Sequence, residues 1–227
     1  MSELTYAEAA DISRTLDDER LAIERSEKRL LVLKKQIPVA TPTLLEKHSH
    51  ELAFLFETTK AACWASPAIA ANLRGYAAAS PDNPEFKSLI NELSHKAWHT
   101  GSKARRLRRR VFDLQTVLIQ AAKTLQKQRL DQRILRLVAG GNRAMTVSEL
   151  HDAVEKDHED VASAITTLRF ALGSRAVFIV REGNTRQDVQ DALKAMARRG
   201  HVRRLGLPFA RARWKFRPHA RQICSRP

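Results

Sequence analysis

Near the C-terminus stands "GHVRRLGLPFARARWKFRP", residues 200–218, with six Lys and Arg side chains, one histidine and no carboxylate. Such a run suits an anionic partner, phosphate above all, because guanidinium groups donate paired hydrogen bonds to it. The spacing adds a second fact. Ala212, Trp214 and Phe216 share one parity, whereas Arg211, Arg213, Lys215 and Arg217 share the other. A strand sends alternate side chains to opposite faces. As a strand, this segment has an apolar face for docking and a cationic face with charges roughly 7 Å apart. "LGLP" at 205–208 supplies a reversal, and Val202 and Leu205 flank the preceding Arg203 and Arg204. The pattern predicts a β-hairpin over 201–217, with only "HARQICSRP" (219–227) left as a basic tail.

The hairpin follows a predicted helix over 186–199, "RQDVQDALKAMARR". Thr185 and Asp188 have the spacing of a capping box, and Gly200 sits where a helix C-terminus favours glycine. Val189, Leu193 and Met196 point inward. That leaves Arg186, Gln187, Gln190, Lys194 and Arg198 outside. Arg and Gln are the types that make bidentate contacts to guanine and adenine edges. Upstream, "MTVSELHDAV" opens with a second box, Thr146 and Glu149. Asp157 is placed to cap a further helix, "HEDVASAITTLRFAL", whose apolar face is Val161, Ile165, Leu168 and Leu172. "AVFIV" (176–180) reads as a short buried strand. The 158–172 helix begins among Glu155, Asp157, Glu159 and Asp160, a cluster that a nucleic-acid duplex repels. Of the two helices, 186–199 is the better reader.

"DVQDALKAMARRGHVRRLG" with "ARWKF" resembles the end of a winged helix-turn-helix domain, through Val189, Ala192, Leu193, Met196, Gly200, Val202 and Trp214. "MTVSELHDAV…VASAITTL" is similar to the helix 2–helix 3 unit of the same superfamily. The resemblance covers about residues 132–217. It implies a recognition helix (186–199) docked on duplex DNA and a basic wing (201–217) laid against the phosphate backbone. The chain departs from the pattern by placing two helix-turn-helix-like units in series, a tandem arrangement or one elaborated domain.

Other chemistries find less support. Glu92, His95 and His99 lie at i, i+3 and i+7 on a predicted helix, but no third strong ligand joins the two histidines, so no metal site is expected. His48 and His50 fall on different helix faces. "AGGN" (139–142) lacks the Lys-Ser/Thr of a phosphate-binding loop. No nucleophile elbow and no supported Cys–His pair is visible. The expectation is a non-enzyme without cofactors.

The 227 residues carry a net charge of +15, with a pI near 10.5. The excess is concentrated. Residues 101–136 hold 11 Lys and Arg against two carboxylates, and residues 198–227 hold ten against none. Two blocks read as contact surfaces for a polyanion. In the first, Arg105, Arg106, Arg108, Arg109 and Arg110 form "RRLRRR". They occupy the polar circumference of a helix whose stripe is Leu107, Val111, Leu114, Leu118, Ala121 and Leu125. A long helix over 4–37 has a coiled-coil-like seam of Ile12, Leu16, Ile23, Leu30, Leu33 and Ile37. Its partner is either the helix over 103–126 of the same chain or a second protomer. "PVATPT" (38–43) and "SPDNP" (80–84) break the chain on either side of an alanine-rich helix over 44–79. A short helix, "LDQRILRLVAGG", begins near Leu130.

The expected architecture is mainly α. A long-helix assembly region (1–128) precedes a winged-helix-like nucleic-acid-binding domain (129–218). Cys63 and Cys224 are too few for a disulfide scaffold. No run approaches the roughly 20 apolar residues of a membrane span, and the acidic start is unlike a signal peptide. These features point to a soluble cytoplasmic protein, nucleoid-associated in a bacterium. It is expected to act as a dimeric DNA-binding regulator or a plasmid- or phage-type maintenance factor. The alternative is a non-catalytic nucleoprotein subunit that holds RNA or single strands by backbone charge.

Overall fold

The computed structural model describes residues 4–37, 41–79, 83–141, 143–155, 159–172, 183–205 and 212–216. Among these, the helices are α1 (Tyr6–Gln36), α2 (Pro42–Ala79), α3 (Pro84–Gly140), α4 (Val147–Glu155), α5 (Glu159–Leu172) and α6 (Arg186–Arg198). The strands β1 (Met145–Thr146), β2 (Val202–Leu205) and β3 (Arg213–Phe216) form one antiparallel sheet in the order β1–β3–β2. The described chain is mainly helical with this one small sheet.

Local chemistry sets where the helices begin. Thr5 caps α1: its hydroxyl accepts from the Glu8 N–H, and the Glu8 carboxylate accepts from the Thr5 N–H at 2.8 Å. The two breaks in the sequence end in helix starts. Thr41 and Asn83 accept from the N–H groups of Leu44 and Phe86. Each is followed by a proline at the first helical position, where a missing N–H costs nothing. Boxes Thr146/Glu149 and Thr185/Asp188 form at α4 and α6 as expected. Gly200 closes α6 with φ at 80°, a conformation glycine adopts without strain.

By internal contacts the chain divides into two units, Met1–Val39 with Lys47–Leu118, and Ala40–Glu46 with Ile119–Pro227. In the first, α1 runs antiparallel to α2, with Arg29 meeting Glu51 and Glu19 meeting Ser66. α2 runs antiparallel to α3, with the Ser94 hydroxyl donating to the Ala70 carbonyl. α1 and α3 are therefore parallel, joined by Lys96–Asp17 at 2.7 Å and Arg110–Glu27 at 3.3 Å. Lys96 also donates to the Ser13 hydroxyl. Helices α2 and α3 approach closely. A Cβ on Gly101 would lie 3.0 Å from two ring atoms of Pro67.

The α1 seam is satisfied inside the chain. Leu16, Ile23, Leu30, Leu33 and Ile37 are all buried. Of the two partners the spacing allowed, the structure selects the same chain, so these side chains are not free to hold a second protomer.

In the second unit, one core joins the end of α3 (Leu130, Ile134, Val138), α4 (Leu150, Val154), α6 (Val189, Ala192, Leu193, Met196), Val202 and Trp214. One expectation is corrected here. The helix near Leu130 is not separate: α3 continues to Gly140. Between Gly101 and Gly140 no glycine or proline interrupts it, and the apolar residues only change to four-residue spacing. The turn expected between 147–155 and 158–172 lies outside the described residues. Helix α4 packs in this core with α6 and the end of α3, and among the described residues no side chain of α5 is part of it. Instead α5 buries Ala164, Ile165 and Leu168, and its Thr167 donates to Glu46. The predicted strand 176–180, the capping residue Asp157 and the reversal from Gly206 lie outside the described residues.

Candidate nucleic-acid interface

The hairpin's parity is realised. β2 and β3 pair with Val202 opposite Phe216, Arg203 opposite Lys215, Arg204 opposite Trp214 and Leu205 opposite Arg213. Directly opposed residues share a face. Arg203, Arg213 and Lys215 thus stand together on one face, all exposed. Val202 and Trp214 are buried on the other; Trp214 is 5% exposed. Arg204 is a correction. Counted with the basic hairpin in the sequence, it falls on the Trp214 face, although exposed. Arg211 and Arg217 lie outside the described residues.

The sheet's third strand fixes the hairpin. β1 pairs with β3, Met145 opposite Trp214 and Thr146 opposite Arg213. This places Arg213 near the capping carboxylate of Glu149. That carboxyl lies below its ordinary range chiefly because the Thr146 N–H and hydroxyl donate to it, and then because Arg143 and Arg213 stand nearby. Arg143 reaches it at 3.3 Å.

Helix α6 presents Arg186, Gln187, Gln190, Lys194 and Arg198, all exposed. Carboxylates share that surface. The Gln187 amide donates to Asp191 at 2.9 Å, and Lys194 reaches the same oxygen at 3.4 Å. Asp191 is held below its ordinary pKa by Gln187 first, then by Lys194 and Arg198. Arg186 and Gln190 are left as the side chains of this set without a partner among the described residues. The role of Asp191 was readable from its spacing, four after Gln187 and three before Lys194.

The start of α6 is tied to α4. The Asn184 N–H donates to Glu155 at 3.1 Å, and the His151 Nε2 lies 3.0 Å from the Asn184 carbonyl. Between α3 and α6 opens a cleft of about 510 Å³, lined by Lys123 and Lys127 on one side and by Asp188, Asp191 and Arg198 on the other. Nearby, burial raises the pKa of Asp131, against the pull of Arg199 and Lys127, and its Oδ1 has no hydrogen-bond partner among the described residues. Neither the cleft nor Asp131 was visible in the sequence, because both depend on which face of α3 meets α6.

In the first unit, the arginine block is helical, as the stripe predicts, but its members differ. Arg110 pairs with Glu27, Arg108 lies over the Phe56 ring at 4.8 Å, and Arg105 lies 5.3 Å from the centre of the Trp98 ring. Arg106 and Arg109 are exposed. Cys63 is a buried thiol whose pKa is raised by burial, opposed by Arg108. Among the described residues no cluster of three or more His, Cys, Asp and Glu could hold a metal, and no helix is long and apolar enough to cross a membrane. His48 is buried and His50 exposed, in keeping with their different faces. Compared with protein-family models, with curated proteins and with solved structures, the chain has no match.

Proposed function

We propose that the second unit is a winged helix-turn-helix domain that binds duplex DNA, with α6 as reader and β2–β3 as wing, in a regulator or maintenance factor. The observation that carries this reading is the two-faced hairpin. Trp214 anchors one face in the core, while Arg203, Arg213 and Lys215 share the other, directly after a helix that exposes Arg186 and Gln190. A cationic face on a pinned sheet meets the phosphate backbone without sequence preference. Sequence is then read by the amide and guanidinium on the helix. That α3, α4 and α6 share one core supports a single domain over the tandem arrangement.

Random-site selection on duplex DNA tests the reading. An enriched motif is expected. Arg186→Ala and Gln190→Ala should each relax preference at one position, at a cost of about 1–3 kcal/mol. Arg213→Ala should weaken all sequences alike and lower the salt slope by about 1. Absence of any enriched motif, or equal losses on every sequence from the α6 variants, removes the reading role.

A further inference from the structure

A second arrangement of rings and cations lies on α3, within the first unit. Asn91, Trp98, Arg105 and Phe112 follow one another at seven-residue spacing, and His95, Ser102, Arg109 and Thr116 do the same beside them. Residues seven apart on a helix differ by only about 20° in direction, so each set forms a nearly straight column. All are exposed except Ser102, which is half-buried. A seven-residue repeat usually marks an apolar seam for another helix. Here just two of eight positions are apolar, both aromatic, and two are arginine.

Trp98 is 47% exposed and Phe112 39%. They stand about 21 Å apart along the helix at a rise of 1.5 Å per residue. Two guanidinium groups flank Trp98, that of Arg105 at 5.3 Å from the ring centre and that of Arg74 at 5.8 Å. Both distances fall within the roughly 6 Å reach of a cation–π contact, so the ring and the two cations form one cluster. The Arg74 Nε donates to the Ala70 carbonyl at 3.3 Å, which also accepts from Ser94 at 3.1 Å, so the α2 side of the site is braced against α3. A cleft of about 250 Å³ opens beside the ring, lined by Arg74, Asn91, Ser94, His95 and Trp98, with no carboxylate. Among the described residues, neither Arg74 nor Arg105 is paired with an acidic side chain.

We infer that this stripe binds unpaired, single-stranded nucleic acid, with bases stacked on Trp98 and Phe112 and phosphates held by Arg74, Arg105 and Arg109. The chemistry asks for both parts. Guanidinium groups alone serve any phosphate. Exposed rings between them serve a ligand that also offers flat π-faces. A duplex keeps those faces inside its stack, so the rings select for the unpaired strand. The site is independent of the reading given to the second unit.

The test is fluorescence anisotropy of the full chain with a labelled 20-nucleotide oligothymidine and, separately, a labelled random duplex. Trp98→Ala should weaken single-strand binding between about fivefold and about 150-fold, the range for loss of one stacked base, and change duplex binding less than twofold. Trp98→Phe, which keeps a ring, should restore most of the affinity. Arg105→Ala should lower the single-strand salt slope by about 0.7. Trp64, on α2 and 72% exposed, supplies the control, and Trp64→Ala should bind like the parent. Unchanged single-strand affinity in Trp98→Ala, an equal loss in Trp98→Phe, or an equal loss on duplex overturns the inference. A chain that binds oligothymidine through Trp98 but ignores duplex upholds this site and refutes the proposal for the second unit.

Discussion

Trp214 combines a large packing gain with one polar cost. Its ring lies in the second unit's core, yet its indole N–H has no acceptor among the described residues. Trp214→Ala removes the ring and leaves a cavity, a loss of about 3–5 kcal/mol. Trp214→Phe gives up less area and also removes a buried donor whose isolation costs about 1–3 kcal/mol. Urea unfolding should therefore find the alanine variant severely destabilised and the phenylalanine variant within about 1.5 kcal/mol of the parent. Comparable losses in the two would mean that the N–H is bonded in solution. Asp131 makes a prediction with a pH sign. Burial raises its pKa in the folded state, so the native protein holds this proton to higher pH than the unfolded chain does. The penalty is absent well below pH 4, grows as pH rises past the ordinary carboxylate range, and is fully present above the raised value. Asp131→Asn should accordingly stabilise the protein at pH 7 and make little difference near pH 3, read as urea midpoints at the two pH values. A less stable variant at pH 7 would show that attraction to Arg199 and Lys127 outweighs the burial cost.

At the scale of helices and strands, two glycines separate propensity from packing. Gly75 in α2 has nothing within 4 Å of a Cβ position, so Gly75→Ala should stabilise by about 0.5–1 kcal/mol. Gly101 in α3 faces the Pro67 ring at 3.0 Å, and that ring is fixed to the backbone of α2. Gly101→Ala makes the same propensity gain but should lose about 1–3 kcal/mol to overpacking, a net destabilisation. Thermal melts of the two variants should shift in opposite directions; a stabilised Gly101→Ala would mean that the helices separate at little cost. These elements also mark what the sequence discloses. Caps at Thr146 and Thr185, the stop at Gly200 and the parity of Arg213, Trp214 and Lys215 are local, decided within a few residues, and all stand in the structure. The seam of α1 was legible as a buried stripe but not as to its partner, because the same spacing serves either copy. That the described side chains of α5 stand apart from the second core was not legible, since its apolar face has the same period as that of α6. Arg204 escaped for a different reason: strand register, not sequence distance from Arg203, decides which face it joins.

Over the whole molecule, the charge of +15 falls into separate surfaces that salt dependence can count. In the second unit, Arg203, Arg213 and Lys215 are the described cations proposed to meet duplex phosphates. Each phosphate neutralised adds about 0.9 to the slope of log K against log salt. Three contacts give a slope of about −3, and Arg211 and Arg217, which share the cationic parity in the sequence, extend it to about −4.5. The first unit's arginines are not needed for this binding if the two units meet different nucleic-acid forms. One of them is paired with Glu27 and another lies over Phe56. Arg105 stands beside the Trp98 ring, on which a stacked duplex cannot lay its bases. Replacing Arg105, Arg106 and Arg109 together by alanine should therefore leave the duplex slope unchanged while flattening the single-strand slope by about 1.4, from loss of the two phosphate contacts assigned to Arg105 and Arg109. A duplex slope that flattens by about 3 in the triple variant would mean that both basic blocks bind one duplex. The charge would then act as one continuous field, and the division of labour between the units would fail. A slope that stays near −3 to −4.5 would assign the duplex to the second unit alone.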